Sequence, residues 1–189
     1  MGRTPLTTLS WTIRVFRARR LIHHLHPGYI PTMENQPLKP GDAAPEFELM
    51  DETKTKVRLS DLRGKKVVLL FYPMDFSPTC TIEHCSFGSE LPKITGGPDT
   101  VVFGVSCDSP FSHDAYKKQY SIPYNLLSDP TRKMAKAYGM WAGEEPYNCT
   151  KRGTVVIDKT GKIAYYAEVP MREPRNVDEL AKIVAGAIA

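Results

Sequence analysis

Residues 67–85 read Val67-Val68-Leu69-Leu70-Phe71-Tyr72-Pro73-Met74-Asp75-Phe76-Ser77-Pro78-Thr79-Cys80-Thr81-Ile82-Glu83-His84-Cys85. The first six residues form an apolar run with β-branched and aromatic members, which is typical of a buried central strand. A polar turn follows, in which Ser77 and Pro78 are residue types that favour the cap and first turn of a helix. We therefore expect Cys80 near a helix N-terminus, where negative charge is stabilised and the reactive thiolate is favoured.

The rest of the chain predicts alternating strands and helices. We expect further strands at 47–49, 57–59, 100–106, 154–157 and 163–167, and helices at 81–94, 112–120, from Asp129-Pro130 to Gly139, and from a capping Asn176 onward. The stretch Asp158-Lys159-Thr160-Gly161 is typical of a β-hairpin turn. This order predicts an α/β fold with a mostly parallel central sheet, an antiparallel edge and helices on both faces.

The net charge of +4 is unevenly distributed over the 189 residues. Residues 1–33 contain five arginines, no lysine and no acidic residue, so the rest of the chain carries a net charge of −1. The nearly neutral remainder gives no argument for nucleic-acid binding. No apolar run approaches the roughly 18 residues that a membrane span needs, so no membrane association is expected.

The Arg-rich, acid-free residues 1–33 also have apolar residues at helical spacing, which resembles a mitochondrial transit peptide. The alternatives are translated upstream sequence before a start at Met33 and a disordered tail. We therefore predict an N-terminal extension at 1–36 and one folded domain at 37–189. The expected location is mitochondrial if the extension is a targeting sequence and cytoplasmic if it is not.

The four cysteines are Cys80, Cys85, Cys107 and Cys149, which are too few for a disulfide scaffold. In a reducing compartment such thiols are free, catalytic or bound to metal. On local features alone, Cys80 could equally be a small buried core residue or a reactive thiol.

Pro73-x-x-x-Ser77-x-x-Cys80 resembles the Pro-x-x-x-Thr/Ser-x-x-Cys motif of the peroxiredoxins, thiol peroxidases of the AhpC/TSA superfamily. The wider stretch is most similar to the bacterioferritin-comigratory, or Q-type, branch. Further blocks occur in the family's order: Pro40-Gly41-Asp42, Gly104-Val105-Ser106, Leu126-Leu127-Ser128-Asp129, Tyr138-Gly139 and Arg152-Gly153-Thr154-Val155-Val156-Ile157-Asp158. The resemblance implies a thioredoxin-like fold, with a central mixed β-sheet flanked by helices, and no metal, flavin or haem.

The resemblance also implies roles for individual residues. Cys80 would be the peroxidatic nucleophile, and Arg152 would supply the cation that stabilises its thiolate. Ser77 would hydrogen-bond the peroxide, and Pro73 would shield the sulfenate from water. Thr is commoner at the position of Ser77, so this chain keeps the hydroxyl but lacks the methyl group that restricts χ1.

Cys85 is the resolving cysteine that the Q-type branch implies, forming a disulfide with the oxidised Cys80. Five residues along an α-helix would place the two Cα atoms roughly 8.6 Å apart. A disulfide tolerates at most about 7 Å. We therefore expect the helix to unwind locally during each cycle. Cys149, then Cys107, are alternative resolving thiols, and an external thiol would make this a one-cysteine enzyme.

The resemblance implies peroxides as substrates, thioredoxin or a similar thiol as the reductant, and a monomer or homodimer. Glu83 is expected either within the site or on a solvated helix face, and His84 at the surface. A zinc module built on Cys80, His84 and Cys85 is disfavoured by the spacing. A non-catalytic thioredoxin-like adaptor is a further alternative, and the lack of Cys-x-x-Cys disfavours a dithiol oxidoreductase.

Overall fold

A computed structural model describes residues 35–186 of the protein. The strands are β1 (Glu48–Met50), β2 (Lys56–Arg58), β3 (Lys66–Phe71), β4 (Thr100–Ser106), β5 (Asn125–Ser128), β6 (Arg152–Ile157) and β7 (Ile163–Val169). The helices are α1 (Pro78–Ser89), α2 (Leu91–Thr95), α3 (Pro110–Tyr120), α4 (Lys133–Ala137) and α5 (Val177–Gly186), with a 3-10 turn at Leu59–Leu62. The predictions for residues 1–33 lie outside the described residues.

The seven strands form one sheet in the order β2-β1-β5-β4-β3-β6-β7. Strand β3 lies near the middle, parallel to β4 and antiparallel to β6. The prediction of a mixed sheet flanked by helices is confirmed, but the prediction of a mostly parallel sheet is wrong. Only β3/β4 and β4/β5 are parallel pairs. A buried apolar run reads the same in either direction, so the sequence does not indicate that β6 returns antiparallel beside β3.

The side chains of β3 alternate between two hydrophobic clusters, one on each face of the sheet. Val67, Leu69 and Phe71 pack with Met134 and Tyr138 around α4. On the other face, the cluster contains Val68, Leu70 and Tyr72 together with Cys80, Phe87, Ile94, Tyr116, Leu180 and Val184 from α1, α2, α3 and α5. The second cluster places the N-terminal turn of α1 directly beside the end of β3.

The single helix predicted at 81–94 is two helices in the structure. Helix α1 begins earlier, at Pro78, and ends at Ser89, while α2 begins at Leu91. Pro92 has no N–H, and its ring clashes with the carbonyl group four residues earlier in a continuous helix. The chain therefore breaks at Glu90, whose φ of −112° and ψ of 17° lie outside the helical region.

The helix predicted from Asp129-Pro130 begins later, at Lys133. The predicted N-cap at Asp129 is wrong, because Arg132 occupies that position, but the Asp129 carboxylate accepts a hydrogen bond from the Ala135 amide in the first turn at 2.8 Å. Gly139 ends the helical segment as predicted. It has a φ of +68°, and an added Cβ would lie 2.4 Å from the Gln36 carbonyl oxygen, so only glycine fits there.

The C-terminal predictions are confirmed. The Asp158 carboxylate accepts hydrogen bonds from the amides of Thr160 at 2.8 Å and Lys162 at 2.9 Å, which closes the hairpin between β6 and β7. The Asn176 side chain accepts a hydrogen bond from the Glu179 amide at 3.1 Å at the start of α5. Across residues 35–186, no helix has the length and apolar character that crossing a membrane requires.

Candidate active site

Cys80 is the third residue of α1, and its sulfur is fully buried. Ser77 occupies the N-cap position, with an extended backbone, and Pro78 is the first helical residue. The predicted cap position is therefore confirmed. The Ser77 hydroxyl makes no capping hydrogen bond, so it is not committed to the amides of the helix. The half-buried Ser77 side chain can instead serve a molecule bound at the helix N-terminus.

Arg152 brings a permanent positive charge to the sulfur. It is the first residue of β6, and its neighbour Gly153 pairs with Phe71 at the end of β3. The buried guanidinium donates a hydrogen bond through Nη2 to Cys80 Sγ at 3.2 Å. The structure therefore brings the two predicted residues into direct contact through a charged donor.

Glu83 is completely buried one turn after Cys80, which excludes the solvated alternative. Its carboxylate accepts a hydrogen bond from Arg152 Nη1. Arg175 adds hydrogen bonds from its backbone amide and its Nε to Oε1 and from Nη2 to Oε2, each 2.8 Å long. Burial alone would raise the pKa of Glu83, but Arg175 and Arg152 outweigh burial and lower it. Glu83 therefore stays ionised and holds Arg152 in place.

Arg175 is a site residue that the sequence did not reveal. It lies between β7 and α5, directly before the cap of α5. Besides Glu83, its guanidinium donates hydrogen bonds to the Gly153 carbonyl and, at 3.1 Å, to Thr154 Oγ1. An arginine beside a helix cap usually lies in solvent, so its position carries no sequence signal for this role.

The turn before Cys80 is held by a second polar network, which the sequence also did not reveal. The Asp75 amide donates to Asp108 Oδ2 at 2.9 Å, which ties the turn to the end of β4. The buried Asp75 carboxylate accepts hydrogen bonds from Tyr72 Oη at 2.8 Å and Ser112 Oγ at 2.6 Å, and faces His113 Nδ1 at 2.9 Å. The Pro73 side chain is buried within the same turn.

His84 is buried, so its predicted surface position is wrong. It is 1% exposed and packs edge-on against the Tyr72 ring, with 4.2 Å between ring centroids. Burial lowers the pKa of His84 to about 3. The imidazole is therefore neutral at physiological pH. The apolar pattern of the helix is misleading here, because the neighbouring Ile82 is 60% exposed.

The other three cysteines occupy different environments. Cys85 lies exposed on α1, whereas Cys107 is half-buried and Cys149 is buried. Burial raises the pKa of Cys107 to about 12 and also raises that of Cys149. Both groups are therefore poor nucleophiles as the protein is folded. Within the part of the chain that the structure describes, no three His, Cys, Asp or Glu side chains are grouped to hold a metal ion, which gives the zinc alternative no support.

The sequence matches the model of the AhpC/TSA family over residues 40–166. The chain is 35% identical to Peroxiredoxin Q, chloroplastic, of Gentiana triflora over 150 residues, which cover 78% of this chain and 67% of the relative. It is 38% identical to Peroxiredoxin Bcp of Bacillus subtilis (strain 168) over 128 residues, which cover 65% of this chain and 80% of the relative.

Solved structures support the same relationship. The crystal structure of a peroxiredoxin-like protein from Aquifex aeolicus superposes with a TM-score of 0.72 at 29% identity, covering 81% of this chain and 90% of that one. The family match spans β3, the turn and α1, and therefore includes the thiol and arginine described above. The chain belongs to the AhpC/TSA family, in the branch of the Q and Bcp peroxiredoxins.

Proposed function

We propose that this peroxiredoxin reduces hydrogen peroxide and organic hydroperoxides with Cys80 as its peroxidatic thiol. The observation that carries the proposal is the 3.2 Å contact between the buried Cys80 sulfur and the Arg152 guanidinium. The thiolate attacks one peroxide oxygen, the O–O bond breaks, and the other oxygen leaves as water or an alcohol. The guanidinium keeps its charge throughout, and its forked donors can follow the charge from the sulfur to the leaving oxygen.

Ser77 and Pro73 complete the proposed peroxide site. The Ser77 hydroxyl lies at the same helix N-terminus as Cys80 and makes no capping bond, which leaves it able to hydrogen-bond the peroxide. The buried Pro73 has no N–H and presents an apolar ring, which limits the access of water to the sulfenate. Glu83 and Arg175 act as positioning residues, because Glu83 holds the Arg152 guanidinium, Arg175 holds Glu83, and neither touches the sulfur.

Cys85 is the proposed resolving thiol. Its sulfur attacks the sulfenic acid of Cys80, which forms the disulfide and releases water. Both residues lie within α1, where their Cα atoms are too far apart for a disulfide, so the turn between them unwinds first. The exposure of Cys85 supports this role, because an opened turn leaves the disulfide accessible to a reductant. If no such disulfide forms, an external thiol resolves Cys80 in a one-cysteine cycle.

Thioredoxin or a similar dithiol protein is the proposed reductant. Attack of its thiolate on the Cys80–Cys85 disulfide would release both cysteines in reduced form and leave the reductant oxidised. A monomer or a homodimer is compatible with this chemistry, because one chain contains the proposed peroxide site and both proposed cysteines.

The proposed location depends on residues 1–33. The relative from Gentiana triflora is described as chloroplastic, and the other relative named above comes from the bacterium Bacillus subtilis. They do not support the mitochondrial alternative. We propose a targeting role for these residues, and a fluorescent protein fused to residues 1–36 tests it. Uptake by an organelle supports targeting, and a diffuse signal overturns it.

Peroxide consumption with a thioredoxin system tests the activity. We expect Cys80→Ser to abolish turnover and the matched Cys107→Ser variant to retain it, because Cys107 has no part in the proposed cycle. A Cys80→Ser variant with normal turnover would refute the proposal.

A further inference from the structure

His84 occupies a place that no step of the proposed cycle uses. It lies on α1 between Cys80 and Cys85, and its side chain points between the helix and the sheet. Its ring contacts Tyr72 and Tyr116 edge-on, with centroid distances of 4.2 Å and 5.7 Å. A Cβ added to Gly104 of β4 would lie 3.2 Å from His84 Cε1, so the sheet backbone also approaches the ring closely.

One polar atom of this buried ring is unsatisfied. His84 Nδ1 and Tyr124 Oη form a hydrogen bond of 2.7 Å, whereas Nε2 is buried without a hydrogen-bond partner among the described residues. In one tautomer Nε2 is an orphaned donor, and in the other it is an orphaned acceptor. Buried unsatisfied groups are uncommon in native proteins and destabilise the state that contains them. Opening of α1 exposes this nitrogen to water, where it gains hydrogen-bond partners.

The surroundings of His84 also oppose its protonation. Burial is the main reason for its low pKa, the attraction of Glu83 and Asp75 opposes the effect, and the positive charges of Arg175 and Arg152 add to it. The three facing phenols, Tyr72, Tyr116 and Tyr124, have raised pKa values and stay neutral. The closed helix therefore holds a neutral imidazole, and only an opened helix allows it to bind a proton.

We propose that His84 is a pH-sensitive latch on the turn of α1 that must unwind before Cys85 can reach Cys80, an inference that rests on the proposed resolving role of Cys85. The latch is closed while the neutral ring packs against the sheet. Unwinding of residues 80–85 removes the ring from its pocket. In the open form, the unsatisfied nitrogen is hydrogen-bonded by water and the imidazole can take a proton. Acidification therefore favours the open turn in which the disulfide forms.

The size of the pH effect on opening follows from the difference in the pKa of His84 between the closed and open turn. The pKa of His84 is about 3 when it is buried and has its ordinary value of 6.5 when it is exposed to solvent. Between these values, the closed turn loses stability as the pH falls, because only the open form binds the proton. Lowering the pH from about 7.5 to about 5.5 then raises the equilibrium constant for opening about tenfold.

Amide hydrogen exchange of the reduced full-length protein tests the latch without any peroxide chemistry. Protection factors correct for the intrinsic pH dependence of exchange, and those of residues 81–85 report opening of the turn. For the wild type we expect a tenfold loss of protection between pH 7.5 and 5.5. His84→Gln keeps a polar side chain that does not titrate, and we expect less than a twofold change. Cys107→Ser is the control, since Cys107 lies on another segment, has no part in the proposed cycle, and its replacement should preserve the tenfold change.

A wild-type protection factor that is independent of pH would overturn the latch, as would a tenfold change that persists in His84→Gln. If His84→Gln does not fold, His84→Leu provides the same comparison with an apolar side chain. Disulfide mapping of the same wild-type preparation, after one equivalent of hydrogen peroxide has been added, separates the two proposals. A Cys80–Cys85 disulfide with pH-independent protection refutes the latch alone. A tenfold change without that disulfide supports the pH-sensitive opening of the turn and refutes Cys85 as the resolving thiol.

Discussion

Two arginines hold the same carboxylate, but only one of them contacts the reactive sulfur. Arg152 and Arg175 both donate hydrogen bonds to Glu83, and Arg152 alone donates one to Cys80 Sγ, at 3.2 Å. Replacing each arginine in turn by Met distinguishes the effect of losing a partner of Glu83 from the effect of losing the contact with the Cys80 sulfur. Met keeps an unbranched apolar chain of similar length and removes the charge.

The two variants should lose similar stability and different reactivity. Each leaves Glu83 buried with one arginine instead of two, and removing one partner of a buried ion pair costs about 3 kcal/mol or more. Arg152→Met also removes a hydrogen bond to a charged group, which is worth about 1.5–3 kcal/mol. At about 1.4 kcal/mol per factor of ten, the rate constant for the reaction with peroxide should fall roughly 10- to 100-fold. Arg175→Met should lower it less than about fivefold.

Stopped-flow measurement of the reaction of Cys80 with hydrogen peroxide gives the rate constants, and urea unfolding gives the stabilities. Both variants must be compared under conditions where each is folded. A loss of reactivity in Arg175→Met equal to that in Arg152→Met would refute the direct role of the Arg152 contact. Wild-type reactivity in Arg152→Met would refute it as well.

Three further predictions concern the resolving thiol, the N-cap hydroxyl and acid stability. Cys85→Ser should reduce a single equivalent of peroxide and then accumulate oxidised Cys80 without an intramolecular disulfide, which intact-mass measurement detects. Ser77→Ala should lower the rate constant about fivefold through the loss of a neutral hydrogen bond worth about 1 kcal/mol, whereas Ser77→Thr should stay close to wild type in the same stopped-flow assay. Burial acts to raise the pKa of Glu83, but Arg175 and Arg152 lower it below 4.5. The ionised carboxylate therefore stabilises the fold at pH values above 4.5. This stabilisation is lost as the pH falls through the lowered pKa. Urea unfolding should therefore show the stability advantage of the wild type over Glu83→Gln shrinking between about pH 7 and pH 3, and an advantage that is independent of pH would contradict this account.

Much of the fold could be predicted, because the residues that define each element are neighbours in sequence. Three local patterns are confirmed by the structure: the apolar run that ends at Tyr72, the hairpin at Asp158 and the cap at Asn176. Strand direction and order depend on contacts between distant segments. The sequence therefore did not predict that β6 lies antiparallel beside β3, nor did it reveal the short strand β5.

For the site as well, the residues in recognisable motifs could be predicted and the residues that support them could not. Cys80 and Ser77 belong to one motif and Arg152 to a second block, and the structure brings Arg152 to the Cys80 sulfur at the end of β3. The residues that support them break the usual rules of burial: Glu83 is fully buried with its charge, while the neighbouring Ile82 is exposed. Such departures from the apolar pattern concentrate at functional sites, where stability is traded for chemistry.

The supporting groups also come from segments far apart in the chain. Arg175 reaches Glu83 across 92 residues, and no local pattern encodes that contact. The buried position of His84 depends equally on a glycine of β4 and a tyrosine that precedes β5. Only the assembled sheet and helix show why these residues have these positions.

Peptide mass mapping after a single equivalent of hydrogen peroxide, with free thiols blocked and no reductant present, tests the central claim most directly. We expect a disulfide between Cys80 and Cys85, with Cys107 and Cys149 recovered in their alkylated form. Cys80 recovered as sulfenic or sulfinic acid beside an alkylated Cys85 would keep the peroxidatic role and remove the resolving one. An alkylated, unoxidised Cys80 after the peroxide has been consumed would contradict the assignment of Cys80 as the peroxidatic thiol.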